Sequence, residues 1–154
     1  MFDMRATACN KQSGFTLVEL LVTVAVVGIL AAIAIPSYES YVTKSKIKGA
    51  QSDLAALSLV MENFYQKQLK YPTNTASTTA ESRCVAATGT TTCSVSGWQP
   101  SQDGFIYKIV TATASTYKLE ALGSSGKVNG CSITLTQDNV RAIASCSGYN
   151  GGWQ

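Results

Sequence analysis

Residues 15–35 read FTLVELLVTVAVVGILAAIAI and carry a single charge, Glu19, before the run ends at Pro36. As an α-helix with a rise of about 1.5 Å per residue, this run would span roughly 32 Å, enough to cross a bilayer core of about 30 Å. A secretory signal peptide is a poorer interpretation, because its apolar region has only about 7–15 residues and a small-residue cleavage site follows it. The run therefore predicts a membrane-spanning helix.

Glu19 is unusual in such a run, because an ionised carboxylate at a bilayer centre costs about 2.5–3.5 kcal/mol on insertion scales. A carboxylate retained there is usually paired or functional. The residues around it, 14–19, read GFTLVE. This segment resembles the type IV prepilin signature, a Gly-Phe junction with glutamate as the fifth residue of the mature chain. The similarity extends through GFTLVELLVTVAVVGILAAIAIPSYESYV.

In that family a membrane aspartyl peptidase cuts after the glycine and methylates the new amino terminus. The resemblance implies a leader over residues 1–14, cleavage between Gly14 and Phe15, and N-methylation of Phe15. It also makes Glu19 the glutamate of the filament core. A cationic amine at Phe15 favours a nearby negative charge, so Glu19 of a neighbouring subunit would neutralise it and set the axial register. The alternatives are that Glu19 pairs with its own amino terminus or stays protonated.

A second helical pattern follows Pro36. Apolar residues recur at spacings of three and four, which places them on one stripe of an amphipathic helix. They are Ile47, Ala50, Leu54, Leu57, Met61 and Phe64. Polar residues, among them Asp53 and Glu62, are expected away from this stripe. Because a proline follows at position 72, the helix is expected to end near Lys70.

The two patterns predict one long helix with two tasks. Residues 15–36 form the membrane and filament-core half, and residues 37–70 form the amphipathic half that packs on a sheet. Pro36 removes one backbone hydrogen bond and is expected to kink the helix. The family is known for local melting of this region in the filament, so the resemblance makes Pro36 a filament-assembly residue. A bend without function is the alternative.

Residues 71–103 are expected to be the variable segment that joins helix to sheet in this family. Half of the 24 residues in 73–96, TNTASTTAESRCVAATGTTTCSVS, are Ser or Thr. This stretch has neither a helical nor a strand period, so we predict an irregular loop there.

Residues 104–154 are predicted to form an antiparallel sheet, because the apolar period changes to two. A first hairpin, turning near residues 112–116, aligns Lys108 with Glu120 and puts opposite charges on one face.

The second hairpin, CSITLTQDNVRAIASC, is predicted to fold about a two-residue loop at Asp138 and Asn139. That register pairs residues that all lie on one face of the sheet. The pairs are Cys131 with Cys146, Ile133 with Ala144, and Leu135 with Ala142.

The four cysteines after the leader can pair in three ways. We favour Cys84–Cys93 with Cys131–Cys146, because opposed cysteines at a non-hydrogen-bonded strand pair lie about 4.5 Å apart at Cα. The second bond also resembles the C-terminal disulfide loop of type IV pilins. A zinc site is the disfavoured alternative, since the spacings do not suit it. Cys9 would leave with the leader.

The composition excludes common catalytic devices. The chain has no histidine, which rules out a Ser-His-Asp triad and His-ligated metals, so we expect no enzyme, no cofactor and no metal. The net charge of +3 permits DNA binding but does not indicate it. Lys44, Lys46 and Lys48 have no interleaved aromatic residues, which favours a solvated face over a DNA-binding patch.

These features predict an α+β protein in which a long N-terminal α-helix packs on a four-stranded antiparallel β-sheet, the type IV pilin fold. The chain is identified as a structural subunit of a bacterial type IV pilus, most similar to minor pilins of the PilE-like group. Such filaments serve twitching motility, adhesion or DNA uptake. The alternatives are a type II secretion pseudopilin, disfavoured by the few acidic residues near the C-terminus, and a competence pilin that captures DNA.

The resemblance implies three protein partners: other pilin subunits, the prepilin peptidase and the pilus assembly platform in the inner membrane. The lysines and arginines flanking the membrane stretch do not by themselves place the N-terminus inside. Disulfides need an oxidising compartment, and the family has a cytoplasmic leader. We therefore expect a single-pass inner-membrane protein with a periplasmic C-terminus, which becomes extracellular when the pilus assembles.

Overall fold

The chain divides into two units, Met1–Tyr38 and Glu39–Gln154. The structure is a computed structural model that describes residues 14–93, 97–149 and 152–153. The expected leader lies outside the described residues apart from Gly14, and so does Cys9.

Helix α1 spans Leu17–Gln68, 52 residues, and continues through Pro36. It begins and ends two residues inside the predicted range, because Thr16 caps its start and Leu69 leaves the helix with φ of 56°. In the first unit its apolar side chains are exposed, as at Leu17, where 81% of the side chain is accessible. Among the described residues this is the one helix long and apolar enough to cross a membrane.

The second half of α1 supplies one side of the hydrophobic core of the second unit. Five of the six predicted stripe residues are fully buried; these are Ile47, Ala50, Leu54, Leu57 and Met61. Phe64 is half-buried. The other side of the core comes from the sheet, with Tyr107, Leu119 and Ile133 at its centre. The described core residues all lie between positions 47 and 135, within the second unit.

Asp53 and Glu62 were expected away from the apolar stripe, and for Asp53 this is wrong. Asp53 is only 6% exposed, and its carboxylate accepts hydrogen bonds from the backbone of Ser101 and Gln102 and from the hydroxyl of Tyr107. A buried carboxylate is tolerated when such donors surround it. Asp53 therefore fastens the segment before the sheet to α1.

Glu62, the other polar residue expected away from the stripe, is half-buried and accepts hydrogen bonds from tyrosine hydroxyls.

Helix α2, Thr79–Thr88, lies inside the stretch 73–96 that was predicted to be an irregular loop. The prediction is wrong because the Ser/Thr-rich composition hides a capping box: Thr78 accepts a hydrogen bond from the Glu81 amide, and Glu81 accepts one from the Thr78 amide. Gly89 ends the helix in the left-handed conformation, with φ of 78°. The helix packs on the sheet through Ser82, Val85 and Ala86.

Four strands follow in chain order: β1 Phe105–Ala112, β2 Tyr117–Gly123, β3 Ser132–Thr136 and β4 Arg141–Ala144. In the first hairpin Lys108 pairs with Glu120, which confirms the predicted register. A bulge between Ile109 and Thr111 follows and leaves Val110 exposed.

The second hairpin differs from the prediction by one residue. Ile133 pairs with Ile143 and Leu135 pairs with Arg141, whereas Ala144 and Ala142 were expected at those positions. The turn has three residues, ending on Asn139 in the left-handed region with φ of 57°. A one-residue slip moves every side chain to the other face. It places Ile143, rather than an alanine, against the core, which buries more apolar surface.

The sheet order is β1-β2-β3-β4, with every neighbouring pair antiparallel. One face of this sheet packs on the second half of α1 and on α2. The predicted fold class, α+β with a long N-terminal helix on a four-stranded antiparallel sheet, is confirmed.

Candidate functional site

The predicted processing and filament residues lie at the start of α1. Gly14 and Phe15 precede the helix, and a Cβ atom added at Gly14 would have nothing within 4 Å. The chain's own packing therefore does not require glycine at this position.

Glu19 lies in the first turn of α1, where a negative charge is favoured by the helix dipole. Its backbone amide donates to Oγ1 of Thr16 at 3.2 Å, and the Thr16 hydroxyl donates to the Glu19 carboxylate at 3.4 Å. Both residues are exposed. The capping role of Thr16 was not predicted from the sequence, although the pattern Thr-x-x-Glu is the usual signature of a helix start.

The two disulfide bonds are Cys84–Cys93 and Cys131–Cys146, the pairs favoured from the sequence. Cys84–Cys93 ties the middle of α2 to the segment that follows it, with a Cα–Cα distance of 5.4 Å. Cys131–Cys146 ties the start of β3 to the residues after β4, with a Cα–Cα distance of 4.2 Å. Ser145, with φ of 58°, precedes Cys146 and lets the chain reach Cys131 despite the shifted register.

Most carboxylates of the second unit accept hydrogen bonds or form a salt bridge within the fold. Hydrogen bonds from the backbone and hydroxyl of Ser77 hold the pKa of the Glu81 carboxyl below its usual value. The Ser132 hydroxyl donates to Glu120 at 2.6 Å, and in the described residues one salt bridge occurs, between Lys127 and Glu39 at 3.5 Å.

Glu62 has two tyrosine partners. Tyr71 donates to it at 2.8 Å and Tyr117 at 3.0 Å, and the two tyrosine rings meet edge to face with centroids 4.9 Å apart. Burial, followed by the hydrogen bond to Glu62, raises the pKa of Tyr71 to about 12. The same two causes raise the pKa of Tyr117 above its usual range.

The basic residues, by contrast, mostly face solvent. Lys44 and Lys48 are exposed and Lys46 is half-buried, so the three do not form one continuous face. A cleft of about 330 Å³ lies between α1 and the C-terminal residues and contains Lys48 and Arg141 in its lining. Among the described residues no three His, Cys, Asp or Glu side chains come together as a metal site requires.

The chain has a long N-terminal helix with an apolar first half. The second half of this helix packs on an antiparallel sheet, and a disulfide closes the last hairpin of that sheet. These features together define a pilin-like filament protein. Comparison with known proteins agrees. A family model described as "Type IV minor pilin ComP, DNA uptake sequence receptor" matches residues 36–136, and one described as "Prokaryotic N-terminal methylation motif" matches residues 9–35. The chain belongs to the type IV pilin family, and within it to the ComP family of minor pilins.

Curated relatives point the same way. The type IV major fimbrial protein FimA of Dichelobacter nodosus is 30% identical over 141 residues, which is 90% of each chain. The type IV major alpha-pilin of Moraxella bovis is 51% identical over 47 residues, 30% of each chain. The type IV major pilin PilA of Myxococcus xanthus is 41% identical over 69 residues, 44% of this chain and 31% of that protein. The chain is therefore a pilin subunit that is anchored in a membrane and assembles with other pilin subunits into a pilus.

Proposed function

We propose that this pilin is a minor subunit whose globular unit binds DNA during uptake. The observation that carries the proposal is the match of residues 36–136 to the ComP family, whose description names a DNA uptake sequence receptor. The matched range contains the second half of α1, helix α2 and strands β1 to β3. The role is one of assembly and recognition rather than catalysis, since the chain has no histidine to act as a base.

The charges of the second unit support DNA binding. Residues 39–154 carry ten lysines and arginines and seven aspartates and glutamates. Several of those carboxylates, including Asp53 and Glu62, are held inward by hydrogen bonds, while Lys48 and Arg141 are exposed. Exposed cations attract the DNA backbone by releasing its counterions, so the affinity of such a surface depends strongly on salt.

For processing, we propose cleavage between Gly14 and Phe15 followed by methylation of Phe15. Glycine at position 14 has no role in the packing of this chain, so its absent side chain is explained by the close approach of a peptidase to the backbone. The leader would lie in the cytoplasm and the second unit in the periplasm, where the two disulfides can form. The assembly platform of the inner membrane would then receive the mature subunit.

For assembly, we propose that the Glu19 carboxylate pairs with the methylated amine of a neighbouring subunit. Glu19 is exposed, and among the described residues its carboxylate has one hydrogen-bond partner, the Thr16 hydroxyl, at a long 3.4 Å. A charge left unpaired in an apolar filament core is strongly unfavourable, so this pairing would select the axial register. Pro36 would ease any local unwinding of α1 during packing, because it lacks one backbone donor.

The assembly mechanism is tested with Glu19→Gln, and Glu39→Gln is the control because it neutralises a carboxylate on the same helix. We expect both variants to lose their leader and to remain in the membrane fraction. Only Glu19→Gln should be missing from sheared pili. Its presence there at the wild-type ratio would show that charge pairing does not drive entry of this subunit.

The DNA-binding function is tested directly by fluorescence anisotropy with the full chain in detergent and a labelled duplex. We expect binding at 50 mM NaCl that weakens linearly in log affinity against log salt. A strain lacking the protein should keep its pili and lose uptake of labelled DNA. Absence of binding at low salt, together with normal uptake by that strain, would contradict the proposal.

A further inference from the structure

We propose that the cleft between α1 and the C-terminal residues binds a phosphate of the DNA backbone. The inference rests on the proposed DNA-binding function and assigns a contact to particular residues. The cleft has a volume of about 330 Å³. Its lining is Lys48, Gln51, Ser52, Ala55, Arg141 and Trp153. All of these residues belong to the second unit.

The described lining of the cleft carries two positive charges. Lys48 on α1 and Arg141 at the start of β4 both line it, and no carboxylate is among the lining residues that the structure describes. In the described part of the chain the one salt bridge joins Lys127 to Glu39, so neither cation has an acidic partner there. Two cations facing one small volume create a site for an anion.

The Arg141 side chain is fixed by two contacts within the protein itself. Its Nε donates to Oδ1 of Asn139 at 2.9 Å, and its guanidinium lies over the Trp153 ring, 5.6 Å from the ring centroid. Neither contact is a hydrogen bond from the two terminal nitrogens of the guanidinium. A guanidinium fixed in this way loses little freedom on binding, and its fork of donors matches two oxygens of a phosphate.

Gln51 provides a second, independent indication of a ligand. The side chain is only 6% exposed, and its Nε2 has no hydrogen-bond partner in residues 14–93, 97–149 and 152–153. Buried amide nitrogens are nearly always paired, so an orphaned donor in the wall of a cleft calls for an acceptor. Because Nε2 is closed to solvent in this structure, the Gln51 side chain has to turn toward the cleft before a phosphate oxygen can accept from it. The Ser52 hydroxyl belongs to the same lining and offers a further donor.

A backbone phosphate fits the shape of the site better than a buried small molecule. Ser52 and Arg141 are exposed, so the cleft is open to a ligand that extends beyond it. Trp153, at the rim, is half-buried and offers an aromatic surface next to a cation. Contacts of this kind fix the position of a DNA duplex without reading its sequence.

The test uses the full chain in detergent and a fluorescein-labelled duplex, with anisotropy read between 50 and 300 mM NaCl. Lys48→Gln and Arg141→Gln should each weaken binding several-fold and lower the slope of log affinity against log salt by about 0.9, the value for one lost phosphate contact. Lys44→Gln is the matched control, since it removes the same charge one turn away on an exposed residue outside the cleft. It should leave the slope unchanged.

Gln51→Met separates a ligand role from a structural one. It keeps the size of the side chain and removes the unpaired donor, so we expect the melting temperature to rise while DNA binding weakens. Binding equal to wild type would remove Gln51 from the site. In a Trp98→Phe background, Trp153 becomes the sole tryptophan, and its emission should change when DNA is added.

The outcomes distinguish this inference from the proposed function. If the wild-type chain does not bind DNA, the proposed function fails. If it binds but Lys48→Gln and Arg141→Gln behave like Lys44→Gln, only the cleft assignment fails. Inorganic phosphate, added at constant ionic strength, tests the source of the anion. Displacement of DNA at millimolar phosphate, with sulfate as the comparison, would assign the cleft to free phosphate and overturn the proposal.

Discussion

The hydroxyl of Tyr107 donates a hydrogen bond of 2.7 Å to Oδ2 of Asp53, joining strand β1 to helix α1 across 54 positions of the sequence. The same carboxylate accepts from the backbone of Ser101 and Gln102 at 3.0 Å and from the Ser101 hydroxyl at 2.8 Å. The Asp53 side chain of α1 therefore holds both the segment that precedes the sheet and strand β1.

Replacing Asp53 by alanine is expected to lower the free energy of unfolding by about 3 kcal/mol, because several donors around it lose their acceptor. Urea unfolding followed by circular dichroism measures this. Asp103→Ala is the matched control, since Asp103 is exposed nearby and makes no hydrogen bond that the structure shows; it should change stability by less than about 0.5 kcal/mol. Equal effects of the two substitutions would mean that the Asp53 contacts contribute nothing.

Stability is expected to fall at alkaline pH. Burial, followed by the hydrogen bond to Asp53, raises the pKa of Tyr107 above its usual range, and Tyr71 is raised to about 12. The folded protein thus keeps protons that the unfolded chain releases near pH 10. The stabilisation of the fold by these protonated tyrosines is complete below about pH 10, and it is lost as the pH rises toward 12 and beyond.

The alkaline loss is measured as the free energy of unfolding between pH 8 and pH 12. Tyr107→Phe should be less stable at pH 8 and should decline less steeply above pH 10. Tyr41→Phe, whose side chain is 72% exposed, should follow the wild-type profile. A Tyr107→Phe profile parallel to wild type would show that this hydroxyl does not link stability to pH.

The register of the last hairpin is tested by substituting one residue on each face of strand β4 and comparing the free energies of unfolding. Ile143 lies opposite Ile133 and packs against the core, so Ile143→Ala should cost about 1.5 kcal/mol, less than a fully buried isoleucine. Ala144 is exposed, so Ala144→Ser should change stability by less than about 0.5 kcal/mol. A larger loss of stability in Ala144→Ser than in Ile143→Ala would instead support the register in which Ala144 faces the core.

Removal of the Cys131–Cys146 disulfide, as Cys131→Ala with Cys146→Ala, is expected to destabilise the second unit by about 3 kcal/mol in the chain-entropy model, since the bond spans 15 positions. The alanines avoid leaving a polar group at position 131, which is fully buried. Peptide mapping without reduction should first show this link together with Cys84–Cys93. A Cys93–Cys131 link would contradict both pairings.

The membrane helix and the first hairpin could be predicted from the sequence because the signals are local. An apolar run of 21 residues and the charge match of Lys108 with Glu120 each specify their structure over a short distance. The capping box at Thr78 and Glu81 was also present in the sequence. The hydroxyl-rich composition around it concealed a helix whose stability comes from packing Val85 and its neighbours on the sheet.

The remaining features depended on contacts between distant segments. Asp53 has the sequence pattern of a solvent-facing residue, and its burial follows from donors that lie 48 to 54 positions later. Alternation alone did not decide the hairpin register, because either face of VRAIAS, residues 140–145, carries apolar side chains. The larger isoleucine packs in the core because α1 covers that face. The sequence by itself determined the membrane segment, the order of strands and the family. Only the tertiary structure decided which polar groups are buried and which cations share a cleft, because those depend on distances across the fold.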